Sequence, residues 1–547
     1  MPLFPILTIV LPLVGAGGTL GLSLVHRVRP YTRYVAPTAL GLTTALILAL
    51  RWMGAGQIVL SSWQPGLLFG GTLTLQIDLY VQPLALALAV VTLSAALVEA
   101  SRKEESSPQL AVVAQILLPV GLAALWSGNV LTMIICWTIY DLLQVAGQIV
   151  AGSSSRTVIR SSIMNGLATL SLWGGELLSG GRVGSETWTL MTLTVPQTTL
   201  WMVAGMLRLW IYPFHLSAPD DLETASPFIA PLFLGPIVGW GLWLRIASAG
   251  EWGLPASAWV LTLAAVTLLG GGFLTWSCES PRRMLPWIGT AVTGASLLAA
   301  GLGGENALTI VTAGSVSWGL GMALLLLGNG DVGHTWRTKA IWWSVPSLIA
   351  AAALIGMPFT LGFASRAPLL SGLIREERLA WQALFFFGHL FLVPSLARWL
   401  LTSPRPTSSP PDRRWSVIAR GIGLGLPALL LLGAGLYPRF LINEEPVPSL
   451  GSLLTTPGLK GWLLWIASLV GGGVLIWQES NLRPAIETFL NATHDLIRLE
   501  WLYNVVVGAL DRGLSVIRVT DEVIGGAGAL LWSLLLFLLI LLVQVRL

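Results

Sequence analysis

The sequence predicts an all-α polytopic membrane protein with about sixteen transmembrane helices. Three observations predict it. Of 547 residues, 54% are hydrophobic and only 10% charged, whereas a soluble domain carries about 25% charged residues. Apolar runs of about 20 residues, the length that crosses the bilayer core as a helix, recur from end to end. The loop Lys and Arg alternate in step with those runs. This composition excludes a disordered chain, a disulfide scaffold and a nucleic-acid-binding domain. Cys136 and Cys278 lie in or beside apolar segments without metal or disulfide spacing, so neither a metal nor a cofactor is expected.

The first windows run Leu3 to Val25, Tyr34 to Leu50, Val81 to Ala100, Leu110 to Ser127, Val130 to Ala151, Val158 to Leu178, Val195 to Phe214 and Phe228 to Ile246. They continue as Ala258 to Trp276, Leu285 to Gly301, Ala307 to Gly328, Ile341 to Leu370, Trp381 to Leu401, Gly421 to Leu436, Trp462 to Trp477 and Ile524 to Val543. The first lacks the basic start of a cleaved signal peptide and is read as retained. Basic clusters follow odd-numbered spans: His26, Arg27, Arg29 and Arg33; Arg102 and Lys103; Arg156 and Arg160; Arg282 and Arg283; Arg337 and Lys339; Arg405, Arg413 and Arg414. Short cytoplasmic loops collect such charge, which puts the N-terminus outside.

Two stretches are not spans. Gln57 to Tyr80 holds the alternating run Thr72-Leu73-Thr74-Leu75-Gln76-Ile77 after Pro65, Gly66, Gly70 and Gly71, the pattern of a β-hairpin on the outer face. Asn481 to Val519 is polar, with Ile486, Leu490, Ile497 and Trp501 near helical spacing, and reads as an amphipathic helix on the cytoplasmic surface or an ordinary connecting helix. Pro404 to Asp412 is a Pro- and Ser-rich cytoplasmic linker.

Ionisable groups inside a span are costly and mark an ion path or a structural pair. Asp141, Arg208 and Arg366 sit well inside theirs, and His389 stands alone on an apolar helix. Glu176, Arg245 and Arg398 lie near span ends and are expected to snorkel to the interface. Arg208 precedes Pro213 and Arg366 follows Pro358. Proline removes a donor and clashes with the preceding turn, so both helices should break near their charge, an arrangement common where ions cross.

Several of these residues fall into a familiar order. Tyr212-Pro213-Phe214-His215 is followed by Pro219-Asp220 and Ser226-Pro227; Ser280 to Leu285 is followed by Gly294; Met357-Pro358-Phe359 by Gly362 to Arg366; and Asn129 to Val145 carries Trp137. In that order they resemble the antiporter-like membrane subunits of respiratory complex I, shared with the multi-subunit sodium/proton antiporters. The span count and the late amphipathic helix are most similar to the family's long distal member. The resemblance implies two inverted repeats with broken helices at spans seven and twelve, and the movement of protons, or sodium ions against protons, along a mid-membrane row of Glu, Lys and His. It divides the chain into residues 1–109 with spans one to three and the hairpin, 110–256 as the first repeat, 257–402 as the second, 403–480 with spans fourteen and fifteen, and 481–547 with the amphipathic helix and final span.

Carried over position by position, the fifth-helix glutamate falls on Thr138, one turn from Asp141. The seventh-helix lysine falls on Arg208 and the twelfth-helix Lys or Glu on Arg366. The eighth-helix Lys or His has no counterpart, and span eleven offers Ser315 and Ser317 where the distal member has His and Lys. A guanidinium essentially never releases its proton, so the relay is expected to be thinned. The ion-path candidates are Asp141, Arg208, Arg366, His389, Thr138, Ser317 and His215.

The first functional expectation is therefore an ion-translocating membrane subunit of a complex I-like assembly, partnered by other membrane subunits and the bilayer, in a bacterial inner membrane or a cyanobacterial thylakoid. The alternative is a non-conducting structural or coupling module of the same fold, for example in an inorganic-carbon uptake complex. A transporter of organic solutes is disfavoured, because a solute pocket needs several convergent polar side chains. No catalytic centre is expected.

Overall fold

The computed structural model describes residues 3–25, 31–54, 56–61, 72–102, 107–178, 188, 193–219, 226–249, 257–278, 280–328, 341–402, 414–442 and 448–505, together with 508, 509, 512, 515, 533, 534 and 536. The linker Pro404 to Asp412 lies outside them, as do most of the sixteenth window and several basic loop residues.

Helices α1 (Leu3–Leu24) and α2 (Thr32–Met53) pack on each other at the start of the chain. The hairpin follows, with β1 (Gly56–Ser61) antiparallel to β2 (Leu73–Ile77) and Gly56 opposite Ile77, Ile58 opposite Leu75 and Val59 opposite Thr74. Leu75 and Ile77 turn inward, the alternation the run predicts. Strand β2 is held by the chain beyond it. The Gln76 amide donates to Trp126 O at 2.6 Å, that of Gly128 to Thr74 O at 2.8 Å, and Asn129 Nδ2 to Thr72 O at 2.6 Å.

Helix α3 (Gln82–Ala100) is buried along nearly its whole length, which is why it reads as apolar all round. The next group is α4 (Pro108–Leu125), α5 (Val130–Val150), α6 (Ser155–Leu177), α7 (Val195–Arg208), α8 (Ile229–Phe233) and α9 (Gly235–Ala249). A second group follows as α10 (Ala258–Ser277), α11 (Pro281–Leu302), α12 (Ala307–Gly328), α13 (Val345–Ile355), α14 (Leu361–Arg375) and α15 (Leu379–Thr402). In the first group α4 packs on α5, α5 on α6 and α6 on α7, while α8 and α9 return to α4. In the second, α10 packs on α11, α11 on α12 and α12 on α13 and α14, while α15 returns to α10. Helices α16 (Arg414–Leu436), α17 (Leu450–Thr455) and α18 (Gly458–Ala485) complete this unit.

Among the described residues eleven helices are long and apolar enough to cross a membrane: α1 to α5, α10 to α12, α15, α16 and α18. The remaining described windows hold α6, the short α7, the pair α8 and α9, and the broken pair α13 and α14. The molecule is thus an all-α polytopic membrane protein, with both expected breaks present. Helix α7 stops at Arg208, ahead of Trp210 at φ +59° and a 3₁₀ turn over Phe214–Ser217. Helix α13 ends at Ile355, capped by Gly356 at φ +81°, and α14 starts after Thr360.

Two expectations need correction. Arg245 and Glu176 do not snorkel: both are fully buried. Arg245, on α9, forms an ion pair with Asp78 and donates to Tyr80 Oη at 2.7 Å and to the carbonyls of Gln76 and Leu125, both at 3.3 Å. A guanidinium with five donors meets this crowd of oxygens better than interfacial water does, and it fastens the hairpin to the ends of α4 and α9. The fifteenth span also runs past Trp477, because Glu479 in its last turns is paired to Arg398 at 2.8 Å and Arg483 donates to Ser277 O at 2.9 Å.

A separate unit starts at Ile486. In it α19 (Glu487–Arg498) falls within the stretch read as amphipathic, with Glu487 in its first turn and Arg498 in its last, as the helix dipole favours. Leu490 on its apolar stripe is buried.

Candidate functional site

Helix α5 begins where Asn129 caps it, its side chain accepting the Thr132 amide at 2.9 Å. Three turns on, Asp141 faces α6 and α7. Arg208 is the last residue of α7, where the helix dipole already favours a cation. The two meet in a two-pronged ion pair, Nη1 to Oδ1 at 2.9 Å and Nη2 to Oδ2 at 2.6 Å, with Nη2 also 3.3 Å from Thr169 Oγ1 on α6. The guanidinium lies 3.9 Å from the centre of the Trp137 ring, close enough for a cation–π contribution. Gly239 on α9 makes room for the arginine, since a Cβ there would stand 2.9 Å from Arg208 Cβ.

From this pair a polar stripe continues between α5 and α6 toward the Val150 end of α5. Asn165 Nδ2 donates to Gln144 Oε1 at 3.3 Å, and Ser161 Oγ to Gln148 Oε1 at 2.9 Å. Gln144 Nε2 donates in turn to Leu232 O of α8 at 3.1 Å. Asp141, Gln144 and Gln148 share one face of α5, and Ser161, Asn165 and Thr169 share the facing side of α6 by their four-residue spacing. In hydrocarbon such amides and hydroxyls are expensive unless paired, so the stripe is a built feature. Sequence reasoning for ionisable groups missed it. The signal was the recurrence of Gln, Asn, Ser and Thr every third or fourth residue in two consecutive apolar helices.

The second break is different. Arg366, on α14, is 2% exposed, and its Nε and Nη1 have no hydrogen-bond partner among the described residues. It passes so close to the end of α13 that a Cβ on Gly356 would lie 2.1 Å from Arg366 Cγ. The same Gly356 has a left-handed backbone, so no other residue suits the position on two counts. Nearby, His389 spends both ring nitrogens on local partners, Ser468 Oγ at 2.8 Å and Ile355 O at 3.0 Å. Ser317 Oγ reaches Ala353 O at 3.4 Å, and Ser315 Oγ turns back to Thr312 O. His389 and Ser317 thus bond carbonyls at the end of α13, next to the break, while Ser315 stays within its own helix.

Thr138 and His215 are not brought to the pair. Thr138 is exposed, its hydroxyl returned to Ile134 O at 2.8 Å. His215 is buried, stacked on Tyr212 with ring centres 5.0 Å apart, and set against Trp287 of α11. Between the two breaks Trp210 packs edge-on against Phe233 and Trp318, at 4.9 and 5.7 Å.

No family model matches the chain. Among curated proteins it is 22% identical over 269 residues to NADH-quinone oxidoreductase subunit N of Thioalkalivibrio sulfidiphilus, covering 44% of this chain and 54% of that one. It is 26% identical over 198 residues to subunit L of a Neisseria meningitidis strain, covering 34% and 28%. The chain thus matches little more than half the length of one relative and under a third of the other. Among solved structures it is similar to a chain of the Mrp complex from Dietzia, with a TM-score of 0.74 at 17% identity over 99% of this chain and 63% of that one. It is also similar to a chain of respiratory complex I from Thermus thermophilus, with a TM-score of 0.63 at 18% identity over 86% and 99%. The chain is therefore similar in sequence to subunits N and L of NADH-quinone oxidoreductases, and its fold is one found in chains of multi-subunit membrane complexes.

Proposed function

We propose that the chain is an ion-translocating membrane subunit that moves protons, with residues 110–256 and 257–402 as its two repeats and an N-terminus on the outer side. The observation that carries the reading is the Asp141–Arg208 pair at the first break, bonded to Thr169, with the Gln144–Asn165 bond one helical turn further along the same two helix faces. The carboxylate is the group that takes and releases a proton. The guanidinium holds the field that sets how readily it does so. Water drawn along the amides and hydroxyls connects Asp141 to the Val150 end of α5. Arg366 provides a second fixed positive field at the other break, with the Trp210, Phe233 and Trp318 cluster as the apolar barrier between the halves. Partners are other membrane subunits, in keeping with the names of the relatives.

One observation favours a second reading, a non-conducting coupling module. Both break positions carry guanidinium, which cannot pass a proton on. Proton flux in vesicles reconstituted with the chain separates the two. With Arg208→Gln and Arg366→Gln combined, flux falls to the empty-vesicle rate on the first reading. Undiminished flux would end the claim that these residues serve transport.

A further inference from the structure

The guanidinium of Arg366 has no counter-charge among the described residues. Its Nε and Nη1 are buried without a hydrogen-bond partner, and the helices α11 and α12 that pack on α14 present Thr and Ser along their buried length. A lone cation in hydrocarbon is costly, and arginine does not shed its charge by losing a proton. We propose that the second break is an anion site, at which one small monovalent inorganic anion of the halide class binds between the Arg366 guanidinium and the first turn of α14.

Bonding the carbonyls that the break frees would be another use for the arginine, but other donors already do it. Ala352 O accepts from the amides of Gly356 and Met357 at 3.0 and 2.8 Å, Ala353 O from Gly356 at 3.1 Å, and Ile355 O from His389 at 3.0 Å. On the far side of the break the donors are left over. The amides of Leu361 and Gly362 open α14 and have no helical carbonyl to bond. Thr360 does not cap them, because its hydroxyl donates to Met357 O at 2.7 Å.

The fold brings these donors together. Side chains on a helix lean toward its N-terminus, so Arg366 reaches back over the residue one turn earlier. That residue is Gly362, whose missing side chain leaves the way to the first turn clear. Ser317 of α12 borders the same space: a Cβ on Gly362 would lie 3.0 Å from its Oγ. Its bond to Ala353 O is long, at 3.4 Å, so the hydroxyl can turn to a nearer acceptor. The guanidinium and the positive end of the α14 dipole repel each other, and an anion between them converts that repulsion into two attractions. The burial of Arg366 sets the size of the ion close to that of a water molecule, and one positive charge calls for one negative.

Bound there, the ion cancels the field that the transport reading gives to Arg366. That consequence rests on the transport reading, whereas the binding is tested without any flux, so either can fail alone. The test exchanges the purified chain in detergent into sodium gluconate and titrates sodium chloride or bromide at constant ionic strength while the unfolding midpoint is followed. The parent's midpoint should climb with the logarithm of halide concentration beyond the dissociation constant, and Arg366→Met should lose that climb. In crystals of the parent soaked in bromide, the anomalous signal should lie within hydrogen-bond reach of the Arg366 guanidinium. An equal response of parent and Arg366→Met to halide, or a guanidinium that meets only water in saturating bromide, would overturn the proposal.

Discussion

The two broken helices share a proline, a loss of helical hydrogen bonds and an arginine, yet they handle the arginine's charge in opposite ways. At the first, Arg208 meets Asp141 through two short contacts and the site is neutral overall. At the second, Arg366 is as deeply buried, but His389, Ser315 and Ser317 are occupied with local oxygens and no described carboxylate reaches its Nε or Nη1. A break in a helix therefore does not by itself dictate a relay. What differs is the facing helix. Helix α5 offers an acid at the depth of Arg208, while α11 and α12, which pack on α14, present Thr and Ser along their buried length.

The largest expected effect breaks the first site in half. Arg208→Gln strands a partly buried carboxylate, and Asp141→Asn strands a buried guanidinium, so each should cost about 3–5 kcal/mol, read as a lower unfolding midpoint in detergent. Replacing both should recover most of that loss. At the second site the sign reverses: Arg366→Met removes a cation with no carboxylate to strand, and the midpoint should hold or rise. If Arg366→Met destabilises as much as Arg208→Gln, the contrast between the halves is wrong and a carboxylate partner exists. A smaller effect probes the turn itself. Gly356→Ala forces a Cβ against Arg366 at a left-handed backbone position and should cost about 1–3 kcal/mol, part of which returns when Arg366→Ala removes the obstructing side chain. The smallest is Thr138→Ala, expected within about 0.5 kcal/mol of the parent, because its hydroxyl bonds only within its own helix.

Much of this contrast was legible in the sequence. Pro213 and Pro358 announce the breaks because proline cannot complete a helical turn. The Asp141 and Arg208 pairing follows from the cost of leaving either alone in hydrocarbon. Other features were not legible because they depend on which residues meet across helices. Arg245 finds Asp78 from 167 positions away, and its place near a span end suggested water instead. Gln144 and Asn165 carry no charge, so their pairing depends on the rotational register of α5 against α6. That register follows from side-chain packing and cannot be counted from spacing. The isolation of Arg366 was hidden for the same reason, since a missing partner has no signature in sequence.

The stripe offers a graded probe of the first half. Gln144→Leu with Asn165→Leu leaves the ion pair in place but removes the polar contacts next to it, and should slow proton flux about tenfold, the effect of removing about 1.4 kcal/mol from the controlling step.

Because losing Arg208 alone also strands a carboxylate, the decisive variant neutralises both partners. Proton flux into vesicles carrying the Asp141→Asn, Arg208→Gln chain, checked for an unfolding midpoint near the parent's, tests the central claim most directly. Flux at the empty-vesicle rate from a folded protein is the expected result. Flux equal to the parent's would contradict it and leave the pair as a structural clasp.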